Sequence, residues 1–258
     1  MSTSRASLSR VERSSQWSPA ERETRVQLAA CYRLVARYRM TDLIYTHISA
    51  RLPGAEDQFL LNPYGLMFEE VTASNLVKID LEGRQIEDGE YGVNDAGFTI
   101  HSAIHAARGD VACVMHTHTR AGFAVSCQKQ GLLPLNQMAL QFYGRLAYHD
   151  YEGIALDHDE RPRLVRSLGD KRAMILRNHG LLTAGRTIPE AFSLMFYLER
   201  ACEVQIAALA GGSELITPPP EVCEKTARQH EMDNKPLGDT EWAAHIRMLD
   251  REDPSYRN

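Results

Sequence analysis

Most marks of a specialised protein class are missing from this chain of 258 residues. Positive charge is not in excess: 29 Lys and Arg against 34 Asp and Glu leave a net charge of −5. No Lys/Arg cluster interleaves with aromatics, so nothing in the chain supplies a field for nucleic acid. No apolar run approaches membrane-spanning length. The stretch from Met1 to Trp17 lacks the apolar core of a secretory signal and, rich in Ser and Arg, reads as a disordered arm. Cysteine pairing is absent too. Cys31, Cys113, Cys127, Cys202 and Cys223 form no CxxC motif and are odd in number, which predicts reduced thiols in a cytoplasmic protein. No internal repeat is visible. What is left is a chain long enough to bury a substantial core, as one large domain or two small ones.

The pattern that is present alternates helices and strands. Leu28, Cys31, Tyr32 and Val35 follow the spacing of one buried helical face and predict a helix from Arg22 to Arg37. Strands are predicted over Thr46 to Leu52, Gln58 to Asn62 and Leu76 to Asp80, with Pro53-Gly54 and Leu81-Glu82-Gly83 as turns. Asn94-Asp95 caps a helix to Arg108 that stops at Gly109. A strand-helix-strand region follows between Gly144 and Ala184, with its helix over Arg161 to Leu168. Thr187 to Glu190 is a capping box for a long apolar helix ending at Gly211-Gly212. Pro218-Pro219-Pro220 then separates the body from a C-terminal arm with a short helix around Glu241 to Leu249. Its apolar face, Trp242, Ile246 and Leu249, needs a partner. The expected segments are an arm (residues 1–20), a main domain (21–212) and a C-terminal arm (213–258) that makes a subunit contact.

One block carries chemistry. His116-Thr117-His118-Thr119-Arg120 follows the apolar run Val111 to Met115, a buried strand, and alternate residues of a strand share a face. His116 and His118 are therefore half of a metal site. An isolated HxH also occurs as plain polar residues at a strand end, so a third donor matters. His179 is that donor: it follows the strand Ala173 to Leu176 and sits in a turn closed by Gly180. Three neutral imidazoles with an open position suit Zn2+ acting as a Lewis acid, while Mn2+ or Fe2+ accepts the same ligands. Three other features have plain structural readings. His101 and His105 share a helix face but lack the Glu of HExxH, and read as core or supporting histidines. Glu69-Glu70 suit the start of a short helix. His149-Asp150 fits a polar turn.

With these residues in hand the chain resembles the class II aldolase/adducin family. The resemblance rests on Leu43 to Arg51, Asn62 to Gly65, Val71 to Asp80, Ala96 to His105, the HTHT block, Tyr148 to Tyr151 and Arg177 to Gly180, and several segments sit nearer the adducin head domain than the sugar-phosphate aldolases. It implies a three-layer α/β/α sandwich around a mainly antiparallel mixed sheet, a homotetramer with sites at subunit contacts, and a metal on His116, His118 and His179.

The departures from that family shape the functional expectation. The acid/base glutamate of its sugar-phosphate aldolases falls on Gly97, within Asn94-Asp95-Ala96-Gly97. Their phosphate-binding pairs fall on Asp95-Ala96, Thr46-His47 and Tyr64-Gly65. An aspartate there repels phosphate. The expected substrate is thus a small unphosphorylated carbonyl or hydroxy acid, cleaved or decarboxylated through a metal-held enolate. Asp95 and Tyr64 are the candidate proton-transfer groups, and His47, Gly65 and Asn94 the candidate substrate contacts. The competing expectations are a non-catalytic adducin-like assembly module and a ferrous-iron oxygenase on the same triad. The partners expected are a small molecule and other copies of the chain, with no nucleic acid and no membrane.

Overall fold

A computed structural model describes residues 16–87, 89–153, 158–231 and 236–258, the side chains of Asp95, Ala96 and His158 excepted. In chain order the elements are α1 (Pro19–Arg37), β1 (His47–Leu52), β2 (Ala55–Leu61), β3 (Val77–Asp80), α2 (Asp95–Ala107), β4 (Cys113–Thr117), α3 (Arg120–Ser126) and α4 (Gln137–Leu140). They continue with β5 (Leu146–His149), α5 (Arg161–Leu168), β6 (Ala173–Leu176), β7 (Gly180–Gly185), α6 (Ile188–Ala210), α7 (Pro220–Glu231) and α8 (Asp239–Glu252). The strands form one sheet in the order β3-β2-β1-β4-β7-β6-β5. Every pairing is antiparallel except β5 with β6.

Strand alternation sorts side chains between the two helical layers. Ile48, Ala50, Cys113, Met115 and Leu181 join the core shared with α1 and α6. Val114, Met174, Leu182 and Ala184 face the other way, into the core shared with α2 and α5. The result is the three-layer sandwich expected from the resemblance. Leu28, Cys31, Tyr32 and Val35 are fully buried, as their spacing requires. Leu28 and Val35 each contribute about 1.5–3 kcal/mol on leaving water.

Helices α3 and α4 are not expected from the sequence, and two further elements differ from the sequence reading. The first helix begins at Pro19 because the Ser18 hydroxyl accepts from Glu21 N at 3.1 Å, capping the turn before Arg22. The triple proline is no mere separator: Pro220 opens α7, where a residue without an N–H costs nothing. The apolar face of the last helix finds its cover within the chain. Trp242 stacks edge-on to Phe192 of α6 at 5.9 Å, and Tyr38 Oη lies 2.9 Å from His245 Nε2. Among the described residues no helix is long and apolar enough to cross a membrane. All five cysteines are free thiols.

Candidate metal centre

Three elements meet at one end of the sheet. Strand β4 ends in His116 and Thr117, and His118 is the next residue. Its neighbour β7 pairs His116 with Leu182 and Thr117 with Leu181. The turn leading into β7 holds His179, flanked by Asn178 at φ 56° and Gly180 at φ 153°. A Cβ at Gly180 would lie 2.4 Å from the Thr117 carbonyl oxygen, so only glycine lets this turn close on the end of β4. That closure brings His179 to His116 and His118, with ring centroids 4.7 and 5.1 Å away. One ligand nitrogen from each residue lies within 4.8 Å of the others.

The protonation of the triad follows from its partners. His116 Nδ1 is 3.0 Å from the Leu181 carbonyl oxygen, and His118 Nδ1 is 2.9 Å from Asp42 Oδ2. Both partners only accept, so both Nδ1 atoms donate, and in neutral rings both Nε2 atoms carry bare lone pairs. Those two lone pairs confront each other at 2.9 Å. Neutral imidazoles cannot satisfy one another in this way, whereas one cation satisfies both. Two nitrogens about 2.0–2.1 Å from a tetrahedral Zn2+ stand roughly 3.4 Å apart, close to this spacing. Burial, helped by the neighbouring rings, holds His116 far below its ordinary value and brings His179 down to about 4. Both are therefore neutral near pH 7, the form a metal ligand needs.

The surrounding candidates fall into two groups. His47 on β1 is buried beside the triad, paired in register with His116, its ring 5.2 Å from that of His116. Asn94 immediately precedes α2, where its carbonyl accepts from Phe98 N at 2.9 Å. The Asp95 side chain lies outside the described residues. Tyr64 is exposed and makes no ring contact with any described residue, and Gly65 beside it borders open space.

Three residues not proposed as site residues from the sequence belong here. Asp42 orients His118. Tyr151 is exposed at the rim, its ring 6.2 Å from that of His179. Thr46 adopts φ 68°, rare for a β-branched residue, and its buried hydroxyl has no partner among the described residues. Thr46 and Tyr151 stand in segments that carry the family resemblance, whereas Asp42 shows in the sequence only as a carboxylate a few residues before the strand that pairs with the HTH strand.

The model for the class II aldolase and adducin N-terminal domain matches residues 26–206, and the chain belongs to this family. A Pseudomonas aeruginosa protein, assigned by name provisionally to aldolase class 2, is 54% identical over 246 residues, covering 94% of this chain and 95% of its own. The structure of an aldolase II superfamily protein from Pseudomonas syringae superposes with TM-score 0.91 at 53% identity, over 96% of this chain and all of that one (100%). The L-fuculose 1-phosphate aldolase of Glaciozyma antarctica superposes at 0.80 with 29% identity, over 92% of this chain and 93% of that one. Family and fold are those of aldolase-type lyases.

Proposed function

We propose that this protein is a divalent-metal-dependent lyase, an aldolase or decarboxylase acting on a small carbonyl or hydroxy acid without a phosphate. The observation that carries the reading is the pair of Nε2 lone pairs 2.9 Å apart, both Nδ1 atoms being already committed as donors. His116, His118 and His179 would hold the ion. The nitrogen-only donor set and its close spacing favour Zn2+, with Mn2+ or Fe2+ as competitors. When bound, the metal polarises a carbonyl and stabilises an enolate oxygen.

The chain supplies the rest. Asp42 and the Leu181 carbonyl fix the two ring orientations. His118 keeps partial exposure, which leaves an approach for a small molecule. Asp95 and Tyr64 are the groups proposed to move a proton, and Tyr151 stands at the rim as a third. A homotetramer, the family habit, is the proposed assembly.

Elemental analysis of protein purified without affinity tag or chelator tests the reading. About one zinc per chain with retro-aldol or decarboxylase activity on short hydroxy or oxo acids supports it. An empty site that takes up no divalent ion sinks it. Fuculose 1-phosphate and rhamnulose 1-phosphate should be turned over weakly or not at all.

A further inference from the structure

A second close approach beside the centre joins β1 to the start of α2. A Cβ at position 97 would stand 2.5 Å from Cδ2 and 2.8 Å from Cγ of the His47 ring. Residue 97 has no side chain because the His47 imidazole already fills that room. Behind the ring lies an unbroken polar chain through an otherwise apolar interface. His47 Nδ1 is 2.8 Å from His101 Nε2, His101 Nδ1 is 2.6 Å from Ser49 Oγ, and Ser49 Oγ is 2.7 Å from His105 Nε2.

The polarity of this chain turns on His105. His105 Nδ1 is buried with no hydrogen-bond partner among the described residues. Each link joins one donor to one acceptor in either direction along the chain. With the His105 N–H on Nε2, His105 donates to Ser49, Ser49 to His101 Nδ1 and His101 Nε2 to His47 Nδ1, which puts an N–H on His47 Nε2; with it on Nδ1, toward the Val111 carbonyl that raises His105, the order reverses and His47 Nε2 keeps a lone pair. In both, His47 Nε2 bonds to no described residue. The residue before His47, Thr46, has the buried hydroxyl without a partner among the described residues.

We infer that His47 is a substrate-contacting residue of the centre. Its Nε2–H donates to an oxygen of a small 2-oxo or 2-hydroxy carboxylate chelated at the triad, and Ser49 is a positioning residue that holds the ring through His101. The inference rests on the metal-centre reading above. It also specifies the substrate class. Three neutral imidazoles leave a divalent cation's charge unbalanced except for Asp42, bonded to His118, so an anionic chelator is favoured. An N–H donor beside the cation meets an anionic oxygen well.

Calorimetry with oxalate, a planar chelating probe, tests this on zinc-loaded protein. His47→Ala should keep its zinc and bind oxalate about 10- to 100-fold more weakly, as expected for loss of a hydrogen bond to a charged group. His47→Gln, which restores an N–H, should recover part of the loss. Ser49→Ala should weaken oxalate binding less, and Ser49→Thr should restore it. Should His47→Ala fail to fold, Gly97→Ala displaces the ring without changing its chemistry and should show the same loss.

The metal-free protein gives a second readout: Gly97→Ala should lower its thermal midpoint in the wild-type background and have little effect in His47→Ala. Unchanged oxalate affinity in His47→Ala, or a Gly97→Ala penalty indifferent to residue 47, overturns the inference and leaves the lyase reading standing. Zinc-loaded wild type that binds no oxalate overturns both.

Discussion

Two groups of histidines lie within one ring's width of each other and obey opposite rules. In the triad, His116 and His118 each spend Nδ1 on a pure acceptor and, as neutral rings, turn a lone pair on the other, a mismatch that a metal cation or a shared proton relieves. In the chain of His47, His101, Ser49 and His105, every bond joins a donor to an acceptor once one tautomer is chosen, and no ion is needed. The lesson is about partners, not residue type. An imidazole becomes a ligand where its neighbours remove its choice of tautomer, and a structural or positioning group where its neighbours complete it.

The contrast is broken most severely by His116→Ala. It should abolish stoichiometric zinc binding while leaving the folded core intact, checked by elemental analysis beside circular dichroism. Zinc retained at one per chain would mean that the facing lone pairs are not a ligand pair.

The second group should reveal itself through acid. Burial drives His105 down to about 3, and the charge of Arg51 pushes in the same direction. The unfolded residue titrates near pH 6.5, so below that the unfolded state binds the proton first and stability falls as pH drops, levelling off near the folded value. The effect of such a buried histidine is on the order of a few kcal/mol across that window, lost going down in pH and regained going up. Urea unfolding of metal-free protein between pH 6.5 and 4.5, above most carboxylate titrations, should show this slope. His105→Gln should flatten it by up to ~1.4 kcal/mol per pH unit. An unaltered slope would mean that His105 does not stay neutral in the fold.

The triad was legible in the sequence and the polar chain was not, for a physical reason. An HxH at the end of a strand declares its own geometry, because period two puts both rings on one face whatever the fold does next. His179 could be added because Gly180 marked the turn. His101 and His105 also declare a shared face, but their partners, His47 and Ser49, lie some fifty residues earlier on β1. Only the tertiary packing of α2 on the sheet joins them. Gly97 shows the same limit: alone it reads as a lost glutamate, and its cause is a ring on another element. The helix α5 and strand β6 matched their expected limits because punctuation at both ends is local. Helix α7 was missed because a proline run looks like a linker until one of its members is seen opening a helix.

Asp42 separates orientation from ligation. Asp42→Asn keeps the size of the side chain and loses the charge facing His118 Nδ1. Zinc affinity should fall about 10- to 100-fold, the usual cost of removing a carboxylate behind a metal-bound histidine. Competition with a chromogenic chelator reads this directly. Retained affinity would mean that the ring orientation is fixed by packing alone.

The smallest effect concerns the far end of β7, the strand that follows the His179 turn. The Thr187 side chain accepts from Glu190 N at 3.1 Å and caps α6 just beyond β7. The expected capping box is not reciprocal: Glu190 reaches Arg186 N and the Arg186 guanidinium instead of the Thr187 backbone. Thr187→Ala therefore leaves the carboxylate's bonds in place and removes a single acceptor, which should cost about 1 kcal/mol in urea unfolding. Zinc and oxalate affinities should stay at wild-type levels, because β7 is fully buried and hydrogen-bonded to β4 and β6 along its length. A change in metal affinity would show that the strand transmits strain from the cap to the His179 turn, and the two ends of the sheet would then have to be treated as one coupled unit.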